Sequence, residues 1–169
     1  MARQEVYWYR LANGKKQIEQ LQADISCDVV VVGGGMAGLM CAQALATEGK
    51  SVVILERDFI GGGASGKSSG FITPDSELEL SDLYDNYGEK VAKKLWDFAK
   101  SGVESIRKNI IKRDFQCHYR IQDSLFIAKS EDGLKTVIHE YEVQEKLGYE
   151  SKLYDKDSLS EIIGSRGYY

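Results

Sequence analysis

The sequence predicts an α/β protein built on one strand–helix–strand unit with parallel strands. Three observations predict it. Two short runs, Val29–Val32 and Val52–Leu55, are continuously apolar and rich in β-branched residues, the pattern of strands covered on both faces of a parallel sheet. Met36 to Glu48, between them, has the length of a crossover helix. Ten of the seventeen glycines fall between Gly33 and Gly70, a clustering by position that calls for a positional cause.

The elements follow in order. Residues 1–26 are polar and mixed, with Tyr7-Trp8-Tyr9 near the start, and read as an arm that packs on the domain. Residues 27–32 are the first buried strand. The helix from Met36 offers Leu39, Met40, Ala42, Leu45 and Ala46 to the sheet, and Gly49 ends it. Residues 51–56 are the second strand. Residues 61–75 are a Gly- and Ser-rich loop holding the only proline, Pro74. A long helix is expected over Asp85 to Lys112, with Val91, Leu95, Ala99, Val103, Ile106 and Ile110 as its core-facing stripe.

In residues 115–121, Phe115, Cys117, Tyr119 and Ile121 alternate onto one face. With a turn at Gln122-Asp123-Ser124 and a second strand at Leu125 to Ala128, they predict an antiparallel hairpin. Leu134, Val137, Ile138 and Tyr141 mark an amphipathic helix over 131–147, ended by Gly148. Lys152–Tyr154 reads as a short strand. Ser158-Leu-Ser-Glu161 has the capping-box pattern and is expected to open a last short helix.

Composition bounds the function. The length of 169 residues is that of about one domain, with 43% hydrophobic and 28% charged residues. A net charge of −4, with no dense basic patch, leaves no footprint for nucleic acid or an anionic membrane. No apolar run approaches the roughly 20 residues of a membrane-spanning helix, and the N-terminus lacks an apolar signal core, so the chain reads as cytoplasmic. Cys27, Cys41 and Cys117 fit neither a disulfide framework nor a metal site; His118 and His139 sit at no ligand spacing to them. Cys27 and Cys41, beside the first strand and in the first helix, are expected to be buried thiols.

The glycines carry the chemistry. In Gly33-x-Gly35-x-x-Gly38 the first permits a tight strand-to-helix turn. The second admits backbone to a pyrophosphate, and the third lets helix and strand pack closely. A helix starting near Met36 points free N–H groups and its positive end at phosphates. Glu56 ends the second strand 18 residues past Gly38, close to the spacing of an acid that binds a ribose hydroxyl. Together these point to a dinucleotide. The residues leave its identity open. An NAD-binding unit usually continues into further helix and strand, whereas here Gly61–Gly70 intervenes. That segment, with its backbone N–H groups and the hydroxyls of Ser65, Ser68 and Ser69, has the make-up to run along an extended ligand such as FAD. A flexible loop has the same composition.

Gly33–Gly38, Glu56-Arg57 and Gly63-Ala-Ser-Gly-Lys-Ser-Ser-Gly70 together resemble the N-terminal part of the D-amino-acid-oxidase-like family of FAD-dependent oxidoreductases, in the glycine oxidase and gamma-glutamylputrescine oxidoreductase group. The resemblance covers nearly the whole chain, including the Tyr7-Trp8 arm. It implies a Rossmann-like FAD/NAD(P)-binding fold of the glutathione-reductase type 2 class, followed by the beginning of an α+β substrate domain. It implies roles too. Gly33, Gly35, Met36, Ala37 and Gly38 would contact the pyrophosphate. Glu56 would bind the adenosine ribose with Arg57 beside it. Ala64, Ser65, Ser69, Gly70 and Phe71 would line the flavin side. Lys67 departs from the arginine often seen in this loop and is read as an exposed loop lysine. His118 and Tyr119 are read as packing or surface residues, and no catalytic residue is named.

The expected organisation is an arm over 1–26, the N-terminal part of an FAD-binding domain over 27–112, and an incomplete substrate domain over 113–169. Members of the family are much longer, and no further buried strand of the Val29–Val32 type follows Glu56. The expectation is therefore a truncated chain with sheet edge and apolar surface uncovered, needing further polypeptide or a C-terminal companion chain. The resemblance implies oxidation of an amine or amino acid at a C–N bond by hydride transfer to flavin. The alternatives are a non-catalytic nucleotide-binding fragment or split subunit, and an NAD-dependent enzyme.

Overall fold

The computed structural model describes residues 6–11, 18–74 and 78–164, and the two valine-rich runs are the only strands among them. The described chain divides into two units between Phe71 and Ile72.

The first unit is the strand–helix–strand motif. Strand β1 (Val29–Val32) pairs in parallel with β2 (Val52–Leu55), in the register Val29 to Val52 through Val32 to Leu55. Helix α2 (Met36–Thr47) makes the crossover, and Gly49 takes the left-handed conformation, φ +80°, just past its end. At the entry to both strands the Asp28 carboxylate accepts the Ser51 N–H at 2.8 Å, and the Ser51 carbonyl accepts the N–H groups of Asp28 and Val29. A short helix α1 (Tyr7–Leu11) belongs to the same unit. Its Trp8 and Tyr9 side chains contact the segment around Gly62 and Ser68; of the arm expected over 1–26, residues 1–5 and 12–17 lie outside the described ones.

Cover of the sheet differs from the expectation. Val29 and Val31 are half-buried, and Val31 lies on the side of α2. Val30 and Val32 keep 52% and 84% of their surface exposed. On the other face the segment around Leu21 and Ile25 forms only a shallow groove with Val30, Val53 and Leu55. The thiols follow suit: Cys27 is half-buried and Cys41 exposed, not buried as expected. A two-stranded sheet is too narrow to enclose α2, so Ala42 is the helix's one buried residue among those described.

The second unit is helical: α3 (Leu80–Tyr87), α4 (Glu89–Arg113), α5 (Glu131–Leu147) and α6 (Lys156–Ile163). The long helix expected from Asp85 is in fact two, because Gly88 takes φ +77° between them. Leu80, Ala92, Trp96, Val143 and Leu147 form its core, joining α3, α4 and α5. The expected division at 112/113 therefore lies within this unit.

The buried face of α4 is also displaced from the expected stripe. Val91 and Leu95 are exposed, while Ala92 and Trp96 are buried. Ala92 and Trp96 join Ala99, Val103, Ile106 and Ile110 at the same three-to-four spacing, so the two readings share their second half and differ in the first. The large surface of Trp96 and the partner helix α3 decide between them.

Helix α5 matches the expected 131–147, capped by the Ser130 hydroxyl at its start and by Gly148, φ +78°, at its end. The hairpin over 115–128 is absent, and so is the strand at 152–154: neither stretch pairs as strand, and Phe115, Ile121, Leu125 and Phe126 are exposed. Alternation alone does not hold an isolated hairpin, which needs a third strand or a packed face. Helix α6 opens earlier than the Ser158 pattern implied. Asp155 is the N-cap, its carboxylate accepting the Ser158 N–H at 2.9 Å.

Leu80 is fully enclosed. Leu80→Ala is expected to lower the stability of the helical unit by about 2–5 kcal/mol, read from urea denaturation followed by helical circular dichroism. An unchanged midpoint would show that α3 is not anchored by this residue.

Candidate dinucleotide site

The site grows from the end of β1. Gly33 follows Val32 with φ +101°, a conformation that favours glycine, and turns the chain out of the sheet. Its N–H still reaches across to the Leu55 carbonyl at 2.7 Å, so the turn begins inside the strand ladder. A side chain at Gly38 would fall on the Gly33 carbonyl oxygen, so only glycine lets the first turn of α2 sit this close to the strand end. Gly35 is the N-cap of α2 with an extended backbone, φ −81° and ψ −177°. A Cβ there would meet only the Ser65 hydroxyl, at 3.2 Å, and none at Gly33 would meet anything within 4 Å. At Gly34, by contrast, a Cβ would run into the Ile60 side chain, so among the described residues the open side of the turn is at Gly33.

Glu56 stands where β2 ends. Its Oε2 accepts the Gly34 N–H at 2.7 Å and its Oε1 accepts the Asp58 N–H at 2.9 Å. These backbone donors, Asp58 first and Gly34 next, hold the carboxyl below the ordinary glutamate value. The carboxylate thus ties the tip of the second strand to the glycine turn after the first. Arg57 is exposed beside it. The Gly34 and Asp58 contacts were not foreseen; the only sequence signal for them is an acid at a strand end facing a run of three glycines.

The second glycine cluster folds over the start of α2. Ala64–Lys67 form a 3-10 turn, and the Ser65 Oγ accepts the Met36 N–H at 2.9 Å. The Gly61 N–H donates to the Gly34 carbonyl at 2.9 Å, joining the two glycine clusters directly. Gly70 has φ +86°, Ser69 is exposed, and Phe71 is 81% exposed. Lys67 is exposed as expected. Gly33, Gly35, Met36, Ala37, Gly38, Glu56, Ala64 and Ser65 are thus gathered around one turn, with Ser69, Gly70 and Phe71 following on the same loop. His118 is exposed with φ +55°, and Tyr119 is half-buried.

The family model for FAD dependent oxidoreductases, DAO, matches residues 28–169. The chain belongs to the FAD-dependent oxidoreductase (DAO) family. It is 33% identical over 163 residues to gamma-glutamylputrescine oxidoreductase of Escherichia coli K12, covering 96% of this chain and 38% of that protein. It is 32% identical over 164 residues to the probable oxidoreductase OrdL of Haemophilus influenzae, with the same coverage of both chains. Human flavin-containing amine oxidase B is 34% identical over 89 residues, 52% of this chain and 16% of that protein. The chain thus spans about two fifths of the length of the first two relatives. No solved structure matches it significantly.

FAD is the cofactor of the DAO family. The residues present fit its pyrophosphate half: a positive-φ glycine with open space where its side chain would project, and a helix N-terminus without acidic side chains in its first turn. Among the described residues no helix is long and apolar enough to cross a membrane.

The depressed titration of Glu56 has a direct readout. A carboxyl with a lowered folded-state value stabilises the fold above its unfolded value, and that contribution is lost as pH falls through the folded one. The amide resonances of Gly34 and Asp58 are expected to titrate together, with a midpoint below the ordinary glutamate value, and to stop responding in Glu56→Gln. A midpoint at or above that value would remove the bonds assigned to this carboxylate.

Proposed function

We propose that this chain forms the pyrophosphate- and ribose-holding part of an FAD-dependent oxidoreductase that oxidises a C–N bond of an amine or amino acid. The observation that carries the reading is the Gly33–Gly38 turn joined through the Gly34 N–H to Glu56 at 2.7 Å. It brings the glycine turn and a carboxylate side by side at the carboxyl ends of two parallel strands, where such folds bind ligands, which supports a pyrophosphate at the turn and a ribose at the acid.

In this reading the backbone around Gly33, Gly35, Met36, Ala37 and Gly38 receives the pyrophosphate at the N-terminus of α2. Glu56 accepts from the ribose with its remaining lone pairs, and Arg57 lies beside the adenine. Ala64, Ser65, Ser69, Gly70 and Phe71 run along the flavin side. Residues 27–112 serve the cofactor, and residues 113–169 begin the part that meets substrate. Bound FAD supplies two-electron oxidation of the substrate carbon beside nitrogen, while the protein orients and tunes it. Amine substrates are supported by the names of the relatives, a gamma-glutamylputrescine oxidoreductase and a flavin-containing amine oxidase. An NAD-dependent reading is not favoured by the family match.

The extended backbone of Gly35 puts no φ/ψ strain on a larger residue, so Gly35→Val tests occupied space, with the Ser65 hydroxyl 3.2 Å from the new Cβ. The purified chain is expected to show a flavin band in its visible spectrum, and Gly35→Val to carry at least about tenfold less flavin. A colourless wild-type protein, or a valine variant that keeps its flavin, would overturn the reading.

A further inference from the structure

Helix α1 lies outside the span of the family match, which begins at residue 28, yet two of its aromatic side chains are built into the glycine loop. The Trp8 indole N–H donates to the Ser68 carbonyl at 2.7 Å. The Tyr9 hydroxyl donates to the Gly62 carbonyl at 2.8 Å. The Tyr9 ring stands edge-on to Phe59, which is buried, with centroids 5.1 Å apart. A Cβ at Gly70 would lie 2.5 Å from Trp8 Cζ2, and one at Gly66 would lie 2.6 Å from Tyr9 Cε1. Gly70 leaves room for the Trp8 ring, and Gly66 leaves room for the Gly61 carbonyl as well as the Tyr9 ring.

The contacts bracket one residue. Gly62 is held before Ser65, and Ser68 and Gly70 are held after it. Ser65 itself places its hydroxyl on the Met36 N–H at the start of α2. Half of the ten residues from Gly61 to Gly70 are glycine, so a free loop of this composition would lose much backbone entropy on ordering around a ligand. A loop already held in place avoids that loss at the moment of binding.

We infer that Trp8 and Tyr9 are positioning residues for the cofactor. They clamp residues 61–70 against the N-terminus of α2, so that the loop receives FAD in an arranged state. The inference rests on the FAD reading of the site. It assigns to the arm a part in cofactor affinity, beyond packing on the domain.

The test titrates FAD into the full chain by quenching of flavin fluorescence and follows amide hydrogen exchange, in wild type, Trp8→Leu, Trp8→Phe, Tyr9→Phe and Gly35→Val. Trp8→Leu is expected to weaken FAD affinity by about tenfold and Tyr9→Phe by a few-fold, each with faster exchange across 61–70 and unchanged exchange across 29–55. Trp8→Phe keeps a ring against Gly70 and is expected to recover part of the loss. Where Trp8→Leu disturbs exchange across 29–55, Tyr9→Phe, which loses one hydroxyl, carries the decision. Wild-type affinity in the arm variants overturns the inference when Gly35→Val abolishes uptake, and so does a loosened loop with unchanged affinity. Wild-type chain that quenches no flavin, or Gly35→Val binding as tightly as wild type, overturns the FAD reading and the inference with it.

Discussion

The first turn of α2 is seated so closely on the end of β1 that the Gly33 carbonyl occupies the place of a Gly38 side chain. That approach sets where the helix begins and where its first N–H groups point. Gly33 can then keep its bond to Leu55 while turning out of the sheet, and the Gly34 N–H meets Glu56 at the tip of the neighbouring strand. The Gly61 N–H reaches back to the Gly34 carbonyl, so the second glycine cluster is hung from the first. The site is a chain of backbone contacts, with one carboxylate as its principal side-chain tie, which is why glycines dominate its composition.

The helical unit is organised around a different device. Glu140 is 7% exposed, and its two oxygens accept the Ser81 N–H at 2.8 Å and the Gln144 side-chain N–H at 2.7 Å. Ser81 lies in the first turn of α3, so the carboxylate from α5 satisfies a helix-start donor that would otherwise be buried without a partner. The interaction fixes the register of α3 on α5 beside the Leu80 packing. Tyr149 packs half-buried against the same core, and the exposed charges around it, Asp97 accepting its hydroxyl at 2.7 Å and Lys93 and Lys100 over its ring, add little by comparison because water screens them.

What was legible in the sequence was whatever local chemistry decides. The β1–α2–β2 unit and the ends of α5 follow from β-branched runs, helical spacing and glycines whose conformation is set within a few residues. The break at Gly88 was of the same kind and was missed because the apolar period runs close to it on one side. The packed face of α4 was not legible, since Val91/Leu95 and Ala92/Trp96 satisfy the same spacing and only the partner helix chooses. The 115–128 alternation is a true strand pattern without a strand partner among the described residues. At the site the three fingerprint glycines and Glu56 were readable because their spacing is fixed by the fold. The Trp8 and Tyr9 contacts were not, since they join residues more than 50 positions apart.

The sheet itself shows how local and global demands separate. A strand with one wet face is normally written as an alternation, yet Val29–Val32 carries valine on both faces. Helix α2 covers the face of Val31, and Val32, next to the Gly33 turn, stays open. Valine at both faces is the composition of a strand meant to be enclosed, so the same four residues ask for cover that α2 cannot provide. Cover over Val30 and Val32 would restrain the residue from which the Gly33 turn departs, so the stiffness of the glycine turn and the enclosure of the sheet are one problem.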